Sequence, residues 1–256
     1  MLILKLFLIP AFLALTSMAG KRWGPGIAGW LAGFPIVAGP ILLFLALEKG
    51  AVFAAQAATL SLSAVFASVT FSLAYSWTCL RHDWLLSVLL ALAAWLAAAL
   101  VLVQLPVSVF VAFSVALGTL IVAPSLFPKS SLPIKPSALP RQELLFRMTA
   151  GAMLTLAVTG LSSTIGASWS GLLAVFPILG FVLAVFSHSS NGPPFVVALL
   201  KAMASGLYSF IAFCLALALL LPGQSITASF VGATGIAALV QWASKTYLMR
   251  RLNRQH

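Results

Sequence analysis

Few side chains in this sequence could do chemistry, and those that could are set into apolar runs. The triplet Phe34-Pro35-Ile36 recurs as Phe176-Pro177-Ile178, 142 residues later. A proline inside a helix removes one backbone hydrogen bond and frees a carbonyl one turn earlier, here near Leu31 and Leu173. In lipid such a carbonyl must find a partner, which can be a neighbouring helix, a water or a solute. Phe34, Pro35, Phe176 and Pro177 are therefore candidate substrate-binding positions. The alternative is that both prolines only bend packed helices. Lys201 is the charged residue set clearly within an apolar run. It reads either as an anchor for an anionic group or as a lysine reaching for the membrane interface. Ser63 and its counterpart Ser205 complete the candidate set. Ser61, Ser68 and Ser72, at spacings of seven and four, share a helical face beside Ser63. They line a polar path or make ordinary hydrogen bonds between helices.

Other chemistries are disfavoured by what the sequence lacks. Its only acids, Glu48, Asp83 and Glu143, sit at the ends of apolar runs, so no carboxylate relay is available at mid-membrane depth. Asp83 is expected to pair locally with Arg81. His82 and His188 fall in a loop and at a run end, where a solvated histidine is the commoner reading. Cys79 and Cys214 have no paired spacing, and neither a disulfide nor a metal site is expected. With no phosphate loop and no internal cluster of His, Asp or Glu, the chain reads as a non-enzyme without metal or cofactor. The net charge of +11 is explained by basic cytoplasmic loops, with no call for a nucleic-acid partner.

The elements that must position these residues are membrane helices. Hydrophobic residues make up 62% of the 256 and charged ones 7%, too few charges to cover a water-soluble fold. Apolar stretches of roughly 20 residues, the length that crosses a bilayer core, recur from end to end. The expected fold is an all-α integral membrane protein with nine spans, at about 1–19, 27–47, 52–77, 84–104, 106–127, 144–163, 167–187, 194–221 and 225–248. Eleven Lys and Arg residues then fall on one side, and only Lys5 and Lys49 on the other. The basic side is cytoplasmic by the positive-inside rule, which leaves the amino terminus outside and the carboxyl terminus inside. A rival reading makes Met1 to Gly20 a signal peptide closing on Ser17-Met18-Ala19. Lys21-Arg22 directly after the run favours its retention as a span.

The repeat extends well beyond the triplet. At the same offset Gly24 meets Gly166, Phe44 meets Phe186, Gly50 meets Gly192 and Phe71 meets Phe213. Residues 1–105 form a first four-helix repeat and 144–256 a second, the latter ending in a basic cytoplasmic tail. Between them, 106–143 supplies one linker helix and a Pro-rich cytoplasmic loop. A single helix between two four-helix units inserts the second upside down. The charges agree, for Lys21 and Arg22 have the uncharged counterparts Ser163 and Thr164. A weaker alignment, matching Phe113 with Phe230 and Gly118 with Gly235, would make 84–104 the inserted helix instead.

Leu31-Ala32-Gly33-Phe34-Pro35-Ile36, followed by the turn Glu48-Lys49-Gly50, resembles the GlpM family of small four-span bacterial inner-membrane proteins. The resemblance implies a bacterial inner-membrane location and a four-helix unit, here present twice. The second copy departs from the pattern in its turn, which reads Ser190-Asn191-Gly192.

Inverted repeats with interrupted helices are a plan of secondary transporters, whose sites lie near the bilayer midplane. The expected function is alternating-access transport of a small solute, anionic if Lys201 serves the site. The rival is a non-transporting membrane subunit of an envelope-biosynthesis complex. The lipid bilayer and the solute are the expected partners, and homo-oligomerisation is left open.

Overall fold

The computed structural model describes residues 2–104, 108–129, 139–164 and 176–252. Ten helices run through them: α1 (Leu2–Trp23), α2 (Pro25–Ala32), α3 (Ala38–Lys49), α4 (Ala51–Thr78), α5 (Trp84–Val103), α6 (Val109–Leu126), α7 (Arg141–Thr164), α8 (Ile178–Asn191), α9 (Pro193–Leu220) and α10 (Ile226–Leu252). Five of them, α4, α5, α6, α9 and α10, hold a segment long and apolar enough to cross a membrane. Large apolar side chains such as Phe110, Val231, Leu239 and Trp242 lie exposed on the outside, the surface that lipid would cover. The chain is an all-α membrane protein.

One expected span differs in kind. The run 27–47 is interrupted, with α2 ending at Ala32 and α3 starting at Ala38. Proline lacks the amide that would continue the ladder, and the residue before it is pushed out of helical geometry. The Pro-rich stretch 130–138, the first half of the span expected at 167–187, and the last four residues of the basic tail lie outside the described residues.

Three of the turns between helices are set by glycine. Gly24, Gly50 and Gly192 have φ of 84°, 91° and 81°, a region that side chains with a Cβ rarely adopt. Each glycine closes one helix and opens the next. The Gly50 amide donates to Ala46 O while its carbonyl accepts from Ala54 N. The Gly192 amide donates to His188 O while its carbonyl accepts from Val196 N. α4 begins directly after the first glycine and α9 directly after the second, and each runs for 28 residues.

α4 and α9 form the centre of the molecule. α9 buries Val196, Leu199, Leu200, Ile211 and Leu217, and it packs most extensively against α2, α10 and α4. α5 lies on α4 as α10 lies on α9, while α6 touches both central helices. The approach of α2 to α9 is at backbone distance. A Cβ on Gly29 would collide with Leu199 O and lie 2.8 Å from Met203 N. One on Gly33 would strike the Gly206 backbone, and one on Gly206 would strike Trp30 O. Small residues allow this contact between helices in lipid.

Thermal unfolding in detergent micelles checks the packing. Gly206→Ala is expected to destabilise by about 1–3 kcal/mol through overpacking. Gly118→Ala and Gly235→Ala, which meet open space, should be neutral or gain up to about 1 kcal/mol of helix propensity. Equal stability of all three variants would contradict the α2–α9 contact.

Candidate functional site

The interruption between α2 and α3 is a specific turn. Phe34 N donates to Leu31 O at 3.0 Å, Ile36 N to Phe34 O at 2.8 Å and Gly39 N to Pro35 O at 2.8 Å. The Ile36–Phe34 bond closes an inverse γ-turn around Pro35. The second triplet has the same pattern, with Ile178 N to Phe176 O at 2.9 Å and Phe181 N to Pro177 O at 2.8 Å. Pro177 itself has φ −81° and ψ 63°, the inverse γ-turn geometry. Both triplets therefore make one turn and then start a helix.

This corrects the expectation about which carbonyl is freed. Leu31 O is taken by Phe34 N, because the chain tightens before the proline. Phe34 N thereby bypasses Trp30 O, which accepts from Gln241 Nε2 of α10 at 3.0 Å. The Trp30 indole in turn donates to Ser244 Oγ at 3.0 Å. Leu173, the second carbonyl expected to be free, lies outside the described residues. α10 thus supplies side-chain partners to Trp30 at the first break.

The candidate residues divide between the breaks and the helices behind them. Phe34 is half-buried and Pro35 buried, and the same holds for Phe176 and Pro177. Phe176 sets its ring edge-on to Trp95, centroids 5.1 Å apart, and 5.9 Å from Phe181. Its ring partners among the described residues are thus Trp95 and Phe181. Met203 of α9 touches the helices on both sides, its backbone beside Gly29 of α2 and its side chain beside Gly180 of α8. Ser205 Oγ donates back to Ala202 O at 2.6 Å. Ser61, Thr70 and Ser72 likewise bond the carbonyl four residues earlier, and Ser63 is half-buried on the same helix. The hydroxyls of α4 largely satisfy themselves within the helix. Lys201 lies exposed between buried Leu200 and Ala202, on the outward face of α9.

Asp83 also departs from expectation. Its Oδ1 accepts from Leu86 N at 3.1 Å as the N-cap of α5. An N-cap aspartate satisfies an otherwise unpaired helix amide, whereas exposed Arg81 offers only a solvated charge pair. His188 Nδ1 lies 3.3 Å from the buried Tyr75 hydroxyl, so it is a packed residue rather than a solvated one.

The polar cluster that sequence reading missed surrounds Arg147. This arginine is 3% exposed, although it stands near the start of an apolar run, among the eleven basic residues that the sequence places on the cytoplasmic side. Its Nε and Nη2 both donate to Glu143 Oε1, at 3.0 and 2.6 Å. Its Nη1 reaches Ser17 Oγ on α1 at 3.3 Å and Ser187 Oγ on α8 at 3.5 Å. Ser190 Oγ of α8 donates to the same Glu143 oxygen at 2.7 Å. The Phe186 ring centroid lies 5.9 Å from the guanidinium carbon. One ion pair thereby ties α1, α7 and α8 together at one end of the molecule. The signal in the sequence was the i, i+4 spacing of Glu143 and Arg147.

A small cavity of about 10 Å³ adjoins the pair, lined by Thr16, Ser17, Arg147, Ser187, Asn191 and Phe195 among others. That volume suits about one water. Asn191 Oδ1 is buried there without a hydrogen-bond partner among the described residues. No group of His, Cys, Asp and Glu that could hold a metal occurs among the described residues. Compared with known proteins, the chain matches no family model, no curated protein and no solved structure.

The ion pair predicts strong coupling. Glu143→Met leaves a buried guanidinium without its carboxylate and is expected to cost about 3–5 kcal/mol. Arg147→Met together with Glu143→Met removes both charges and should recover most of that loss. Chemical denaturation of the two single variants and the double variant measures the coupling. Additive losses would show that the pair is not structural.

Proposed function

We propose that this chain is a secondary transporter of a small solute, built from two inverted copies and working by alternating access. The observation that carries the reading is the γ-turn at both Phe-Pro-Ile triplets, with its matched hydrogen bonds. Interrupted helices within a bilayer place irregular backbone where a solute can be bound, at the interface between repeats.

Several contacts support the inverted arrangement. α1 and α7 are equivalents at the offset of 142, and they touch through Leu13 with Gly151 and Ser17 with Arg147. The number rises along one helix as it falls along the other, so the two equivalents run antiparallel. The stacking of Phe71 on Phe181 matches the approach of Gly39 to Phe213 with the copies exchanged. α3 on α10 likewise mirrors α8 on α5. A two-fold relation that reverses helix direction supports all three pairings. The full reading keeps nine spans, with the amino terminus periplasmic and the carboxyl terminus in the cytoplasm. It retains the GlpM-like ancestry of each copy and a bacterial inner-membrane location.

The solute reading narrows at one point. Lys201 is exposed, and Arg147 is already matched by Glu143. The surroundings of the broken helices are thus backbone, hydroxyl and aromatic groups, with no free charge among the described side chains there. This favours a small neutral polar solute, with a small anion as the version in which Lys201 takes part.

Two measurements test the proposal. Reporter fusions after Ile165 and after Arg254 should report opposite sides, periplasmic and cytoplasmic; one shared side would end the inverted reading. Proteoliposomes should take up at least one of glycerol, urea, acetate or phosphate faster than protein-free vesicles. Pro35→Ala and Pro177→Ala, which let the helices close, should each slow that uptake several-fold without lowering thermal stability. Vesicles no more permeable than empty ones would instead favour a non-transporting membrane subunit.

A further inference from the structure

Contacts between helices gather exposed basic residues at one end of the molecule. α1 and α7 meet through Leu13 with Gly151 and Ser17 with Arg147, so the last turn of α1 lies beside the first turn of α7. Lys21 Nζ fits that register, donating at 3.3 Å to Leu139 O just before Arg141 opens α7. α8 carries the same level across to α4. Its Ser187 contacts Arg147, and the adjacent His188 meets Tyr75 near the end of α4, with Arg81 in the loop that follows. Trp77 Nε1 donates to Leu126 O at 2.9 Å, which brings the end of α6 and Lys129 to this end as well. Lys21, Arg22, Arg81, Lys129 and Arg141 are all exposed. The acids among them are Asp83, which caps α5, and Glu143, which is taken up by Arg147.

Tryptophan marks the same level. Trp23, Trp77 and Trp84 all lie exposed there, and exposed tryptophan concentrates where a membrane meets water. The Arg22 guanidinium lies 5.5 Å from the Trp23 ring centroid. Apolar side chains begin one turn deeper. Arg22 and Met18 stand four residues apart on α1, and Arg141 and Leu145 four apart on α7, so each pair shares a helical face. Met18 and Leu145 are both exposed, as is Leu15 a further turn along the α1 face. Each helix of the α1–α7 seam therefore sets a guanidinium above an exposed apolar strip. A phospholipid has the same order, with its phosphate above its acyl chains.

We propose that the α1–α7 seam binds an anionic phospholipid, its phosphate held by Arg22, Arg141 and Lys21 and its chains lying along Leu15, Met18 and Leu145. A guanidinium bonds phosphate oxygens through paired N–H donors, which gives direction as well as charge. The seam is positive because its one carboxylate, Glu143, already serves Arg147. A zwitterionic lipid brings a cation of its own, which three bases repel. A lipid whose phosphate is its only charge meets no such opposition, and basic clusters beside membrane helices select anionic lipids for this reason. The bond from Lys21 to Leu139 O holds the end of α1 to the approach of α7, so a phosphate bound there is shared by both helices. The inference needs neither the transport reading nor the inverted repeats. It rests on the register of α1 and α7 and on the charge at their shared end.

Native mass spectrometry of the full chain, released from detergent micelles, tests this by counting bound lipids. Titration with dioleoyl phosphatidylglycerol should fill a first site at least ~10-fold more tightly than dioleoyl phosphatidylcholine does. Arg22→Gln with Arg141→Gln should remove most of that preference, with Lys21 kept so that its bond to Leu139 remains. Arg81→Gln with Lys129→Gln removes the same charge elsewhere at this end and should change the preference less than about twofold. Equal losses in the two double variants would overturn the seam and leave a diffuse basic surface. Equal binding of the two lipids by the unaltered chain would overturn the proposal without any variant. Displacement of the bound lipid by an equal concentration of inorganic phosphate would assign the site to free phosphate instead.

Discussion

An interrupted helix leaves backbone groups without their ladder partners, and the packing around the first Phe-Pro-Ile triplet is arranged around that constraint. Each unsatisfied group in hydrocarbon costs several kcal/mol. At the first Phe-Pro-Ile triplet the chain meets the demand in three ways. A γ-turn pairs Ile36 with Phe34, the tightened turn pairs Phe34 with Leu31, and Gln241 reaches across from α10 to Trp30 O. The last bond requires α10 to lie beside α2. The position of Trp30 O also requires Gly206 on α9, since any side chain there would strike it. The break therefore fixes two neighbouring helices, and the glycines of α2 and α9 are part of the same solution.

The polar cluster at Arg147 answers a related problem with charge. A guanidinium buried beside three helices is tolerable only when its donors are filled, and Glu143, Ser17 and Ser187 take them. The cluster joins helices where the triplets part them. The two features belong to different regions of the fold, one central and one at an end. In the transport reading proposed above, interrupted backbone in the middle of the fold is where alternating access would hold its solute.

Much of this was legible in the residues. Pro35 and Pro177 marked the two breaks because proline cannot donate to the ladder, and glycines at 50 and 192 marked the reversals because those turns need positive φ. The 142-residue offset carried through to helix starts at Ala51 and Pro193 and at Trp84 and Ile226. What could not be read was direction around a helix and depth along it. Lys201 sits one residue from buried Leu200 and Ala202, and only the packing of α9 turns it outward. Arg147 looked like a loop charge because a count of basic residues takes no account of a partner four residues earlier. Which carbonyl the proline bypasses depended on local tightening before Pro35, which pairs Leu31 O with Phe34 N. Asp83 went to the end of α5 since a helix amide competes better for it than exposed Arg81 does.

The central claim is that both breaks lie at one depth in the bilayer, related by inversion of the two copies. The relative accessibility of spin labels to oxygen and to a water-soluble nickel chelate reports that depth. Labels at Ile36→Cys and Ile178→Cys, in a chain free of its native cysteines, should both report positions near the midplane and agree with each other. One label in the hydrocarbon centre and the other at the headgroups would contradict the account.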